Sequence, residues 1–252
     1  VMLMTKAMLC WHFQHWIPRL SFSLDSFYKL FGFGSKIFVS SILSSISGNI
    51  YSLVIGKIFS ASSLGFYSRA DGYAALPVKT ITGVIDSVTY PVFSKFQDDN
   101  ILLINSFRRM LRLSAYVVFP IMIGLAVLAK PFVVILVTEK WLPCVVYLQV
   151  LCFARMWLHV QNLNFNVLKA KGHSNLFLKL EVVRQVAIIL FLVATASFGI
   201  LFICIGSVFA ALVSMFINSY YVGKVLEFGF FKQLKEMAPS LRSEERRVGK
   251  EC

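Results

Sequence analysis

The sequence predicts an all-α fold: a polytopic integral membrane helix bundle with about six complete transmembrane helices and a partial one before them. Three observations predict it. The 252 residues are 58% hydrophobic and 15% charged, with a mean hydropathy of +0.73, where soluble domains run at roughly 45–50% apolar and about 25% charged. Long windows carry no charge at all. The 25 Lys and Arg residues, set against 12 Asp and Glu for a net +13, fall in alternate connections rather than in one patch. A soluble globule of this length has too little interior for so much apolar side chain, so lipid is the solvent that fits the composition.

The chain opens at Val1 inside an apolar stretch, with no basic leader and no small-residue cleavage site. Residues 1–16 therefore read as a partial transmembrane helix of a fragment, not as a signal peptide. Residues 17–36 read as a cytoplasmic loop. A bilayer core of about 30 Å needs about 20 apolar helical residues, and Ile37 to Gly56 supplies the first such window. Gly72 to Ser94 is apolar but holds Lys79 and Asp86. It counts as the second span, since otherwise a segment rich in Val, Ile and Phe would be left without structure and the loop charges would cease to alternate. Leu113 to Ala129 is the third, and Trp141 to Leu168, interrupted only by Arg155, the fourth.

Gln185 to Gly223 carries no charge over 39 residues, about 58 Å as one helix, or roughly twice the hydrocarbon thickness. It has to fold back, most naturally around Ser197, Phe198 and Gly199, with one helix beginning near Phe177 and the next running from Ile200 to Val222. Residues 37–223 are thus expected to form a six-helix transmembrane bundle. Residues 224–241 form a cytoplasmic segment in which Leu226, Phe230, Phe231 and Leu234 stand against Glu227, Lys232, Lys235 and Glu236. It reads equally well as an interfacial helix or as a solvated linker helix. Residues 242–252 (RSEERRVGKEC) break abruptly in composition, resemble a translated sequencing adapter, and are set aside as a non-native tail. Fourteen Lys and Arg fall in the first, third, fifth and last connections, against four (Lys57, Arg69, Lys130 and Lys140) in the others. That bias places the fourteen-residue set in the cytoplasm, and it does not suit a nucleic-acid partner.

Enzyme chemistry finds little support. Outside the tail there are nine acidic residues and no D-x-D pair; Asp98 and Asp99 are neighbours in a basic loop. Phosphate-loop and nucleophile-elbow motifs are absent, as is C-x-x-C, so no catalytic residue, metal ligand set or cofactor is expected. His12 and His15 share a helical face without a third ligand and read, like His159 and His173, as interfacial. Cys10, Cys144, Cys152 and Cys204 lie at irregular spacing and read as small hydrophobes.

The candidate binding residues are the charges and amides inside spans, because an ionisable group at membrane depth is costly and faces protein or water. Lys79 and Asp86 lie two turns apart on one face of the second span, and Arg155 lies in the middle of the fourth. Lys79 and Arg155 could draw an anionic head group, with Asp86 as partner or cation site; snorkelling or a structural ion pair is the plainer reading. The first span holds Ser40, Ser41, Ser44, Ser45, Ser47 and Gly48, followed by Asn49. Ser41 with Ser45, and Ser44 with Gly48, have the spacing of close helix packing; lining a polar cavity, with Asn49, is the alternative. Gln161, Asn162, Asn164 and Asn166 wrap the fourth span in amides. Five prolines (Pro77, Pro91, Pro120, Pro131 and Pro143) are expected to kink or end spans.

Leu64 to Ala70 (LGFYSRA) with Leu76-Pro77, Tyr90 to Asp99 (YPVFSKFQDD), Phe107 to Leu111 (FRRML), Glu139 to Leu142 (EKWL) and Lys171 to Glu181 (KGHSNLFLKLE) occur in this order. Together they resemble the Wzx-type lipopolysaccharide and exopolysaccharide flippases, the branch that includes the colanic acid exporter, within the multidrug/oligosaccharidyl-lipid/polysaccharide superfamily. The resemblance implies a multi-pass protein of the bacterial inner membrane that moves an undecaprenyl-pyrophosphate-linked oligosaccharide between leaflets. It implies two related bundles around a central cavity, this chain being most of the second, and alternating access without a covalent intermediate or cofactor. Polysaccharide polymerase and chain-length machinery, with membrane lipids, are the implied partners. It also implies a glycine before Glu139, where this chain has Thr138. A cation or drug antiporter of the same superfamily is the alternative, though its cavity should lean acidic; a membrane glycosyltransferase or polymerase comes third.

Overall fold

The computed structural model describes residue 5 and residues 23–241. His12, His15, Cys10, the expected partial helix over 1–16 apart from residue 5, and the tail over 242–252 lie outside the described residues. The chain forms two compact units, residues 1–35 and 36–252. Among the described residues there are α-helices and one 3-10 turn but no strand, as the all-α prediction requires. Within the first unit the described part is helical from Leu24, and Phe27 and Phe31 stack with ring centroids 5.6 Å apart.

The helices in order are α1 (Leu24–Ile58), α2 (Ala61–Lys95), α3 (Asn100–Val127), α4 (Ala129–Val137), a 3-10 turn (Glu139–Trp141), α5 (Cys144–Arg155), α6 (Leu158–Ala170), α7 (Ser174–Ala196), α8 (Ile200–Leu226) and α9 (Phe230–Leu241). Four stretches are long and apolar enough to cross a membrane: Ile37–Ile58, Asn100–Val127, Cys144–Ala170 and Ile200–Leu226. Two expected spans, on α2 and α7, are helices of sufficient length whose charges keep them out of that set. Among those charges Asp71, Asp86, Glu181 and Arg184 lie among the polar groups described below, where protein rather than lipid is their neighbour, whereas Lys79 and Lys179 are exposed.

Several helices run further than the hydropathy windows. A helix of 35 residues is about 52 Å long, so α2 outreaches a 30 Å hydrocarbon core, and stretches expected as loops, such as residues 24–36 and 101–112, are helical. Local signals set the ends. Ser60 accepts a hydrogen bond from Ser63 N at 3.2 Å to cap α2, and Asp99 accepts from Ile101 N at 2.9 Å and Leu102 N at 3.0 Å to cap α3. Asp99, one of the two adjacent acids in the basic loop, therefore has a structural task. The α6 terminus closes as a Schellman turn: Gly172 takes φ 73°, and His173 N donates to Leu168 O at 2.9 Å. The α7–α8 hairpin turns through Ser197 to Gly199, where the long uncharged window has its break.

Three of the five prolines, Pro77, Pro91 and Pro120, sit inside continuous helices. Pro131 lies in the first turn of α4 and Pro143 caps α5, at helix starts as expected, while two other breaks carry no proline. The long fourth span divides at Met156–Trp157, and His159 closes the break: its Nδ1 lies 2.6 Å from Met156 O, so that nitrogen carries the proton it donates to the carbonyl. His159 is buried and meets Phe119 edge-on at 5.3 Å, which corrects the interfacial assignment. A ring that replaces a lost helix hydrogen bond belongs inside the bundle. The second break, at Thr138, puts a β-branched residue at φ 93°, a region that glycine occupies without strain. Thr138→Gly is expected to stabilise the fold by about 1 kcal/mol, since relief of an outlier of this kind is worth on the order of 1–3 kcal/mol less the added chain entropy. A melting curve of the purified chain in detergent checks this; an unchanged or lower Tm would show that the strain is absorbed by neighbours.

Within residues 36–241, α5 packs between α2 and α8, α7 lies along α8, and α3 contacts α2, α5 and α9. The amphipathic α9 is docked rather than solvated. Its Gln233 is fully buried and donates to Asn164 Oδ1 of α6 at 3.2 Å, while Ser219 Oγ of α8 donates to Gln233 Oε1 at 2.9 Å.

Candidate functional site

Two polar cavities in the body formed by residues 36–241 share one wall residue, and together they hold most of the charge buried there. The first, of about 90 Å³, lies where α5 ends. Arg155 on the last turn of α5 reaches across to Asp71 on α2: its Nε donates to Asp71 Oδ1 at 3.0 Å, and a second guanidinium nitrogen meets the same oxygen. Both side chains keep about a quarter of their surface; Arg155 lines the cavity, with Asp71 as its counter-ion outside the lining. Tyr51 and Tyr67 flank it with rings stacked at 6.5 Å, and Gln161, Ser207 and Ser214 complete a lining that can both donate and accept.

The second cavity is larger, about 390 Å³, and lies among Ser40, Asp86, Asn162, Asn166, Lys169, Glu181 and Arg184. Asp86 on α2 accepts a hydrogen bond from Asn166 Nδ2 on α6 at 2.7 Å. On α7, Glu181 Oε1 accepts from Arg184 at 2.5 Å and from Gln185 Nε2 at 2.6 Å. Glu181 is almost wholly buried, and a buried carboxylate persists only when paired and hydrogen-bonded in this way. Arg184 lines both cavities. Asp71 and Asp86 are 15 residues apart on α2, about 22 Å along its axis, so the two charged clusters lie at different depths with Arg184 bordering each.

Of the four residues nominated from sequence, Arg155 and Asp86 line these cavities, and Lys79 and Asn49 line neither. Lys79 is exposed, against the expectation that one polar face of the second span looks inward. The helical phase is shared, but the surroundings at the two heights are not: Ser40, Ser41 and Asn166 line the cavity with Asp86, and among the described residues Lys79 is left exposed. Asn49 is also exposed and donates to Ser45 O at 3.0 Å within its own helix, continuing a ladder in which Ser41 donates to Ile37 O and Ser45 to Ser41 O, each at 2.9 Å. The serine-rich span does supply Ser40, Ser41 and Ser45 to the larger cavity, which favours lining over close packing for these three.

Sequence reasoning missed Asp71, Lys169, Glu181 and Arg184. Asp71 falls one residue before the window taken as the second span. Lys169 and Arg184 fall among the charges expected in cytoplasmic loops, yet Arg184 is in the middle of α7 with a side chain only 17% exposed. The available signal was Glu181 and Arg184 three apart at the head of an apolar helix, the spacing of an intrahelical pair. Among the described residues no group of three or more His, Cys, Asp and Glu is placed to hold a metal ion.

The polysaccharide biosynthesis protein family matches residues 1–146 of the chain. The chain is 31% identical over 174 residues to the teichuronic acid biosynthesis protein TuaB of Bacillus subtilis (strain 168), covering 68% of this chain and 36% of that protein. It is 31% identical over 208 residues to the lipopolysaccharide biosynthesis protein WzxC of Escherichia coli (strain K12), covering 81% of this chain and 42% of that protein. The succinoglycan biosynthesis transport protein ExoT of Rhizobium meliloti (strain 1021) is 25% identical over 128 residues, covering 51% of this chain and 26% of ExoT. The chain thus matches less than half the length of each of these relatives.

Proposed function

Because this chain belongs to the polysaccharide biosynthesis protein family, we propose that it forms one wall of the path by which a lipid-linked oligosaccharide crosses the bacterial inner membrane. The whole protein would be a flippase for an undecaprenyl-pyrophosphate-linked repeat, working beside a polysaccharide polymerase and its chain-length machinery. The observation that carries this reading is Arg184 at the border of both polar cavities, with Arg155, the partner of Asp71, on one side and Asp86 and Lys169 on the other. In this proposal α2 and α7 cross the bilayer with the four apolar stretches, giving six crossings, and their charges are solvated by the path they line.

The chemistry suits such a cargo. Amides, hydroxyls and carboxylates exchange hydrogen bonds with sugar hydroxyls, and guanidinium and ammonium groups bind phosphate oxygens with charge-assisted bonds. Arg155 and Arg184 are paired with Asp71 and Glu181 at rest, and Lys169, which has no carboxylate partner among the described residues, leaves an ammonium for an anionic head group to meet in the larger cavity. Neither cluster sets a nucleophile beside a base, and the proposed transport needs no covalent step.

Export by the whole protein in a flippase-null strain tests the reading. Asp86→Asn and Arg184→Gln are each expected to reduce surface polysaccharide severely, with the protein's abundance in the membrane unchanged by immunoblot. Normal polysaccharide from both variants would overturn the proposed path. Altered susceptibility to cationic drugs with polysaccharide intact would move the assignment to an antiporter.

A further inference from the structure

We propose that α9, together with the adjoining end of α3, is a binding surface for anionic phospholipid. Three observations carry it. The first is depth. Near the end of α8, Tyr220 and Tyr221 are 50% and 37% exposed, and the Lys224 ammonium lies 4.8 Å and 5.7 Å from their ring centres. Exposed tyrosines beside a lysine at the end of an apolar helix mark the level of the lipid head groups. The chain then reverses through Glu227, at φ 55°, and α9 starts at Phe230, three residues later.

The second is the division of α9 into two faces. Gln233 and Met237 are buried against the bundle, whereas Phe231 is 78% and Leu234 40% exposed, with Lys232 and Lys235 exposed beside them. Large apolar side chains and lysines sharing the outer face of a docked helix are the arrangement that inserts into a charged lipid surface. The buried amide network and the backbone contact at Gly223 hold that face in one orientation.

The third is charge. Glu236 is taken up by Arg112, whose Nε lies 3.1 Å away, and by Arg108 at 3.6 Å. Lys224, Lys232 and Lys235 form no ion pair among the described residues, and against the one remaining acid of the reversal, Glu227, they leave the exposed apolar strip with net positive charge, with Arg109 exposed on the neighbouring α3. Lys232 spends one of its three donors on Glu227 O at 2.8 Å and keeps the others. A zwitterionic lipid meets this surface with no net attraction, while each Lys or Arg near an anionic surface strengthens binding about fivefold. The bilayer itself, through its phosphatidylglycerol-type lipids, is therefore the occupant.

The test uses the full chain in lipid nanodiscs of phosphatidylcholine with increasing phosphatidylglycerol. Phe231→Trp, compared with the parent, should show added fluorescence that brominated phosphatidylglycerol quenches more strongly than brominated phosphatidylcholine. In detergent, phosphatidylglycerol should raise Tm, and Lys232→Gln with Lys235→Gln should lower its apparent affinity by about twenty-five-fold, whereas Lys130→Gln with Lys140→Gln should leave it unchanged. Equal loss in both double variants would mean a bulk charge effect and would overturn the site. Fluorescence from the Phe231→Trp variant that bilayer lipids do not quench would mean that protein, another segment or a second copy, covers the face, and would overturn it as well.

Discussion

Arg155→Gln and Asp71→Asn should each lower the melting temperature of the purified chain by about 6–12 °C, and the paired replacement Asp71→Leu with Arg155→Met should recover most of that loss. Each single change leaves its partner shielded without a counter-ion, which costs on the order of 3 kcal/mol, and 1 kcal/mol is worth about 2–4 °C in a chain of this size. The paired change removes both charges together, and apolar replacements of similar volume for a buried pair are about neutral or better. Export should not follow stability. If the guanidinium serves the cargo, both variants that lack it lose polysaccharide export in the whole protein, including the one whose melting temperature recovers. A double variant that regains both stability and export would reduce the pair to a structural brace and remove Arg155 from the proposed path.

The legibility of this site in the sequence follows the physics of each residue. Arg155 stands out because an arginine inside an apolar window has no cheap place in lipid. Its partner Asp71 does not, because it lies 84 positions earlier and nothing local ties the two together. Glu181 and Arg184 are hidden by the same hydropathy that reveals the hairpin: an uncharged window begins only after its last charge, so charges on the first turns of a spanning helix look like loop charges. Lys79 and Asp86 show the limit of helical phase. It places two residues on one face, but whether that face is covered depends on what α1 and α6 bring to each height. The family resemblance supplies the glycine expected before Glu139, and the φ of 93° at Thr138 gives its physical reason.

The fold class is easier to read because it rests on sums over many residues. No single side chain decides that 39 uncharged residues must turn back, and Gly199 at φ 109° only marks the place. The polar interior rests on individual partners instead. Asn164 and Asn166, two apart on α6, look alike in sequence, yet one donates to Ser219 on α8 at 3.2 Å and the other to Asp86 on α2 at 2.7 Å. The docked α9 and the larger cavity are therefore joined through a single turn of helix.

That turn gives Gly223 its weight, and Gly223→Ala is expected to undock α9. A Cβ at Gly223 would stand 2.6 Å from Gly229 Cα and 3.0 Å from Gly229 N. These are backbone atoms that no rotamer change can move aside, so the reversal between α8 and α9 has to open. Once it opens, Asn164 and Ser219 lose their hydrogen bonds to Gln233, and each buried polar group left unpaired costs about 1–3 kcal/mol. The expected results are a fall in melting temperature comparable to that of the broken Asp71–Arg155 pair, rapid proteolytic cleavage between residues 227 and 229, and reduced export as Asn166 loses its support beside Asp86. Gly229→Ala is the matched control, because its Cβ would come no nearer than 4.0 Å to Gly223 Cα, an ordinary contact. It should fold, resist protease and export normally. Equal damage from both substitutions would mean that the turn needs glycine for its backbone freedom rather than for the contact, and the link from α9 to the cavity would then have no steric basis.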